Sequence, residues 1–151
     1  MIQNATRLSS LPASSCLSPQ GTHRSIVNGS LPFTIRVAND SPALNKAISI
    51  RHSAYARHLP DFAESLRNPE PIDIAPGVLV LLAESKLDGS AVGTIRIQTN
   101  DQGPLCVEQS IVLPQILRTK RLAEATRLGV ANTDAGRHVA KSLIKAFCLY
   151  C

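Results

Sequence analysis

The stretch from residue 122 to residue 151 constrains the fold of this chain more than any other. Its first part is apolar and branched as a buried strand is, yet Glu124 and Arg127 place two charges in it. A polar turn follows, where Thr133 or Asp134 can cap a helix. In that helix apolar residues recur at helical spacing on one side and basic residues on another. The stretch therefore predicts a strand, a glycine-bearing loop and an amphipathic helix.

The start of this helix is suited to an anion. Free backbone N–H groups and the positive end of the helix dipole meet there. Gly136, Arg137 and His138 lie in the first turn, shortly after Val130 ends the strand. Such an end can hold a phosphate or a pyrophosphate. We interpret His138 as a surface residue of this turn and not as a catalytic base.

Composition limits the class of protein. The 151 residues allow one domain, with 44% hydrophobic residues for a core but only 3% aromatic ones. No apolar run approaches the length of about 18 residues that a transmembrane helix needs. The net charge of +5 favours an acidic partner and leaves open nucleic acid, anionic lipid, a nucleotide-bearing cofactor and an acidic carrier protein. Nucleic acid is disfavoured, because aromatic stacking partners are few.

The four cysteines indicate reduced thiols and a cytoplasmic location, since they are few and unevenly placed. Cys148 and Cys151 form a Cys-x-x-Cys pair, but no second pair or histidine motif accompanies it. Because zinc needs four ligands, we predict no metal site.

The N-terminal part, residues 1–31, is rich in Ser, Pro, Asn and Gly, and no acidic residue precedes Asp40. It predicts a disordered tail, with an organellar transit peptide as the alternative. The remaining chain predicts both strands and helices, in the order strand, helix, three strands and a helix. We expect strands at 33–38, 78–83, 92–97 and 122–130, helices from 41 to 58 and from 134 onwards, an extended piece at 105–112, and a short helix or loop at 113–120. This order favours an α+β fold, a mostly antiparallel sheet with helices on its faces.

Two motifs resemble the N-acyl amino acid synthases and the related acyl-homoserine-lactone synthases, which have the GNAT-like acyltransferase fold. Residues 124–130, EATRLGV, match the pattern Glu-x-[Ser/Thr]-Arg-[Leu/Phe]-x-Val, and residues 93–96, GTIR, match a Gly-x-x-Arg strand. Arg51 and Tyr55 are similar to an Arg-and-Tyr segment of the family. The resemblance covers residues 33–151. It implies a GNAT-like domain at 32–151 that is partial, because in the family a fifth strand, a helix and a final hairpin follow.

The resemblance implies an N-acyltransferase that moves a long-chain acyl group from a thioester to the amine of an amino acid or a similar small amine. The donor would be acyl-phosphopantetheine on an acyl carrier protein, or acyl-CoA, as a co-substrate and not a permanently bound cofactor. One glycine stands in the loop where CoA-dependent relatives have two, which fits the phosphopantetheine arm alone. The donor site would comprise Val130, Gly136, Arg137 and His138. A bacterial origin is also implied. The basic residues that suit an acidic carrier protein, or form a solvated face, are Arg118, Lys120, Arg121, Lys141 and Lys145.

The charges in the strands are the candidate catalytic residues. Glu124 is the candidate base, acting through a water, and the alternative is a structural ion pair with Arg127 or Arg96. Arg96 and Arg127 can orient a substrate carboxylate, and the alternative is pairing with Glu108 or Asp73. Residues three apart in a regular strand point to opposite faces, so Glu124 and Arg127 share a face only if a β-bulge separates them.

A competing hypothesis is a binding module without catalysis, a degenerate GNAT-like domain that docks an acidic partner or a nucleotide. The acyl length, the amine acceptor, the donor and the oligomeric state stay open from the sequence.

Overall fold

The computed structural model describes residues 31–151. The predicted disordered tail lies outside the described residues except for Leu31. The elements in chain order are β1 Phe33–Val37, α1 Ser41–Ala56, α2 Pro60–Ser65, a 3-10 helix Pro71–Ile74, β2 Val78–Ser85, β3 Ala91–Thr99, α3 Cys106–Ser110, α4 Gln115–Arg118, β4 Ala123–Val130 and α5 Asp134–Tyr150. Within 31–151, no helix combines the length and the apolar character that crossing a membrane requires.

The four strands form one sheet in the order β1-β2-β3-β4, and each neighbouring pair is antiparallel. The short turn between β2 and β3 favours their antiparallel pairing, and it carries Gly89 at a φ of 68°. The predicted α+β fold, an antiparallel sheet flanked by helices, is confirmed. The extended piece predicted at 105–112 is wrong over most of its length. Residues Cys106–Ser110 are helical instead, because Glu108 Oε2 accepts a hydrogen bond from the Leu105 backbone N–H at 2.8 Å and caps the turn.

Helices cover both faces of the sheet. On one face α1 packs Ala43 and Ala47 against Val80 and Leu82 of β2. Small residues allow this close approach of helix and sheet. At the far side of that face, a Cβ on Gly129 of β4 would lie 3.1 Å from the Arg51 Cα, so glycine lets α1 lie directly on β4.

The opposite face of the sheet holds the larger apolar core. Its buried members are Phe33, Leu81, Ala83, Ile95, Ile97, Val139 and Leu143. The last two belong to α5, whose apolar side was predicted from its helical spacing. Burial of one such side chain contributes roughly 1.5–3 kcal/mol, so α5 is anchored mainly by these contacts.

Strand β4 contains a β-bulge between Glu124 and Gly129. Thr94 of β3 pairs with Gly129, whereas Arg96, two residues on, pairs with Thr126, three residues back. The extra residue lies beside Arg127, which has a φ of 56°, in the left-handed region. As a result, Thr126 and Arg127 both direct side chains to the α1 face, where they meet Arg96 and Glu70.

Candidate active site

A cluster of three arginines and two carboxylates lies between α1 and the sheet. Arg51 of α1 is 0% exposed and donates from Nη1 and Nη2 to the two oxygens of Asp73, at 2.9 and 3.0 Å. Arg96 of β3, 2% exposed, donates to Asp73 Oδ1 at 3.2 Å. Charges this deeply buried must be paired, and Asp73 pairs two of them.

Glu70 is the second carboxylate of the cluster and joins all three arginines. It accepts from Arg127 at 2.7 and 2.6 Å in a two-pronged contact, and from Arg96 Nη1 at 2.9 Å. Arg51 Nη1 lies 3.3 Å from the same carboxylate. The prolines of the 68–76 segment and the 3-10 helix Pro71–Ile74 fix this acid beside Asp73, whose Oδ2 accepts from the Glu70 backbone N–H at 2.9 Å.

The cluster is electropositive. Three guanidinium groups and two carboxylates give a sum of 3 − 2 = +1. The hydrogen bonds from Arg127 hold the pKa of Glu70 below its usual range. Burial by itself would raise the pKa of Asp73, but the hydrogen bonds and charge of Arg51 outweigh it, and the pKa is lowered. Both carboxylates are therefore ionised near neutral pH, and one positive charge is left uncompensated.

Arg127 is held in an unfavourable backbone conformation by its side chain. A φ of 56° is uncommon for a residue with a Cβ. The pair with Glu70 and a cation–π contact with Phe62, 5.2 Å from ring centroid to Cζ, offset that cost. Tyr55 packs edge-on against Phe62, with ring centroids 5.6 Å apart. The Arg51 and Tyr55 positions singled out in the sequence thus both support the bulge region.

Glu124 lies on the same face of the sheet as Arg96, two residues before Thr126, but takes no part in this cluster. Its Oε2 accepts a 3.4 Å hydrogen bond from the Val107 backbone N–H of α3. Among the residues 31–151, no arginine or lysine nitrogen lies within 4.0 Å of it. The alternative of an ion pair with Arg127 or Arg96 is therefore not what the structure has. Arg96 pairs with Asp73, one of the two alternative partners named from the sequence. The other, Glu108, caps α3.

A polar pocket of about 500 Å³ lies where β4 ends and α5 begins. Val130, Gly136 and Arg137 line it, as three of the four predicted donor-binding residues, while His138 is exposed and does not. Thr133 caps α5, its Oγ1 accepting from the Gly136 N–H at 3.2 Å. A Cβ on Gly136 would lie 2.2 Å from the Ala131 carbonyl oxygen, so glycine is required for the helix to start this close to the strand.

Sequence reasoning missed two residues at these sites. Glu70 lies in a proline-rich connector, and its only sequence signal is a second acid, Asp73, three positions on with Pro71 between them. Arg57 follows α1 directly, lines the pocket, and donates from Nη2 to the Val130 carbonyl at 3.0 Å. Nothing in its local sequence distinguishes Arg57 from other surface arginines.

No metal-binding group is found in the part of the chain that the structure describes: no three His, Cys, Asp or Glu side chains gather there. Cys148 and Cys151 are exposed free thiols.

The sheet order, the bulged fourth strand and the helix that begins beside its end define a GNAT-like fold. Among solved structures, the chain is similar to FeeM, an N-acyl amino acid synthase from uncultured soil microbes, with 18% identity and a TM-score of 0.52 over 78% of this chain. It spans 64% of the length of that protein. An integron cassette protein from the mobile metagenome of V. cholerae is also similar, with 13% identity, a TM-score of 0.51, and coverage of 80% of this chain and 68% of that one. At such identities the likeness establishes a shared fold.

No protein-family model matches the chain. No curated protein matches it in sequence.

Proposed function

We propose that this chain carries an N-acyltransferase site, in which an acyl group passes from a thioester to the amine of an amino acid or a similar small amine. One observation carries the proposal: β4 joins an anion-suited pocket at its end to an unpaired carboxylate on the cluster face. Val130 lines the pocket, and Glu124 lies six residues earlier, a span of about 20 Å along an extended strand. A long, flexible thioester arm fits such a track.

In the proposed reaction, the amine nitrogen attacks the thioester carbonyl, a C–N bond forms and the C–S bond breaks. The attacking amine must lose a proton, and Glu124 would accept it through a water. Its carboxylate suits this role because no cation in the described chain is paired with it, which leaves its oxygens open to a water. The departing thiolate takes up a proton and leaves as a thiol.

The arginine cluster would hold the carboxylate of the amine substrate. Its excess positive charge matches one carboxylate, and charge-assisted bonds to guanidinium groups are strong and directional. Arg127, with 23% of its side chain exposed, is the member that a substrate can reach. Only 3% of the Arg96 side chain is exposed. Arg96 would act through Arg127, by fixing Glu70 and Thr126 in place. In this proposal Arg127 touches substrate and Arg96 positions it.

The donor pocket would hold the phosphate of the thioester arm at the start of α5, with Arg57 and Arg137 as its cations. The pocket is also lined by Asp134, whose Oδ1 lies 3.6 Å from Arg137 Nη2. That carboxylate offsets part of the positive charge, which favours a single phosphodiester, as on acyl carrier protein, over the more highly charged CoA. A cytoplasmic location and a bacterial origin belong to the same proposal.

The test is a thiol-release assay with acyl carrier protein or CoA thioesters as donors and a mixture of amino acids as acceptors. N-acyl amino acid should form together with free thiol. Glu124→Gln keeps the size and a hydrogen-bond acceptor but cannot take the proton. We expect turnover to fall by roughly 100-fold or more with little change in donor binding.

Asp61→Asn, the same chemical change at an exposed position of α2, is the matched control and should leave turnover unchanged. Full activity of Glu124→Gln would exclude Glu124 as the base. Donor binding with no turnover by the unaltered chain would favour the binding-module hypothesis.

A further inference from the structure

The segment 111–121, which contains α4, exposes several large aliphatic side chains to solvent. Within seven consecutive positions the exposed fractions are 56% for Ile111, 84% for Val112, 73% for Ile116 and 38% for Leu117. Single exposed apolar residues are ordinary on protein surfaces, but a group of them marks an interaction site.

The segment holds its shape through hydrogen bonds of its own. The Leu117 N–H donates to the Pro114 carbonyl at 2.9 Å, and Arg118 Nε donates to the Leu113 carbonyl at the same distance. The N–H of Ile111 donates to the Val107 carbonyl of α3 at 3.0 Å. The apolar side chains are therefore presented outwards by a folded loop.

The same segment is basic. From residue 109 to residue 121 it contains no acid and three cations, Arg118, Lys120 and Arg121. Arg121 pairs with Asp101 at 2.7 Å, so its charge is largely offset. Neither of the other two has a carboxylate within 4.0 Å among the described residues. The aliphatic patch thus stands beside two uncompensated positive charges.

We propose that the 111–121 segment docks on the surface of an anionic lipid bilayer. Ile111, Val112 and Ile116 would enter the boundary between headgroups and acyl chains, with Arg118 and Lys120 among the anionic headgroups. Charge complementarity selects an anionic partner. A fluid bilayer fits best because the most exposed side chains, Val112 and Ile116, protrude from the surface. This inference does not depend on the proposed acyl transfer.

Sedimentation of the full chain with vesicles tests the proposal. We expect binding to vesicles that contain phosphatidylserine, little binding to pure phosphatidylcholine, and weaker binding as salt is raised. The double variant Val112→Ser/Ile116→Ser should lose about tenfold or more in affinity. Lys120→Glu should lose at least about fivefold, the factor expected for one basic side chain near an anionic surface.

The β2–β3 turn supplies matched controls. Leu87 is 94% exposed and Lys86 adjoins it, so Leu87→Ser and Lys86→Glu make the same chemical changes elsewhere on the surface. Both should bind vesicles as the unaltered chain does. Unchanged far-UV circular dichroism would show that all variants are folded.

Several results would overturn the proposal. One is a failure to bind anionic vesicles, and another is an equal loss in the control variants. A concentration-dependent dimer that Val112→Ser/Ile116→Ser abolishes would identify the patch as a contact between copies of this chain. Binding of a purified acidic carrier protein through the same residues, without vesicle binding, would assign the surface to a protein partner.

Discussion

Replacing Glu70 by glutamine should destabilise the chain more than the same change at the exposed Glu64. In the structure this carboxylate accepts four contacts from guanidinium nitrogens, at 2.6, 2.7, 2.9 and 3.3 Å. A glutamine can accept at only one oxygen and turns an N–H₂ group towards the arginines. Asp73 would then be the one carboxylate left in the cluster, and its contacts are with Arg51 and Arg96.

The expected magnitude follows from these contacts. A hydrogen bond to a charged group contributes about 1.5–3 kcal/mol, and at least two of the four would be lost. Because 21% of the Glu70 side chain is exposed, water can replace part of what is lost. We therefore expect Glu70→Gln to lower the free energy of unfolding by about 2–4 kcal/mol, close to the range for breaking a buried ion pair.

Urea unfolding followed by far-UV circular dichroism measures the effect, since the chain contains no tryptophan for fluorescence. Glu64→Gln is the control, because Glu64 pairs with Arg67 but is 61% exposed. It should leave the free energy of unfolding nearly unchanged, because exposed ion pairs contribute little to stability. In the double variant Glu70→Gln/Arg127→Gln, the two losses should fall short of additivity by about 1–3 kcal/mol. Equal losses for the two glutamate variants, or strict additivity, would refute this account of the cluster.

Two further outcomes follow from the same geometry. Glu70 and Asp73 have lowered pKa values in the folded chain, so their contribution to stability is complete above the ordinary carboxyl pKa and is lost as pH falls through the lowered values. Urea titrations from neutral pH downwards should show this loss of stability below about pH 5. The free energy of unfolding of Glu70→Gln should depend less steeply on pH than that of the unaltered chain. Identical slopes for the two proteins would mean that Glu70 is not paired. Gly136→Ala places a Cβ 2.2 Å from the Ala131 carbonyl oxygen and should cost about 1–3 kcal/mol, as overpacking does, with weaker donor binding. Ala135→Ser, at an exposed position one residue earlier, should be near neutral in both measurements.

Local patterns in the sequence were enough for the sheet and the two long helices. Apolar alternation, a continuous apolar run and helical spacing predicted β1 to β4, α1 and α5. Charges in apolar strands drew attention to Arg96, Glu124 and Arg127. From the sequence, Glu124 and Arg127 could share a face only if a bulge separated them, and the structure has that bulge in β4.

The partners of these charges could not be predicted from the sequence. Glu70 meets Arg127 across 57 positions, and the contact depends on how the connector after α2 folds back under α1. Local sequence patterns carry no information about such long-range contacts. Arg57 reaches the pocket for the same kind of reason, since α1 must first lie along β4 at Gly129. The short α3 was missed because side-chain capping by Glu108, and not apolar spacing, makes it helical.

The connector 68–76 is rich in proline, a composition typical of a spacer whose length can be changed without harm. Through Glu70 and Asp73 this connector instead stabilises the bulged backbone of β4, the strand at one edge of the sheet. Adding or removing a residue there would move both carboxylates out of register with three guanidinium groups at once. Tolerance to insertions should consequently be much lower in this connector than in the β2–β3 turn, whose Gly89 has open space around it.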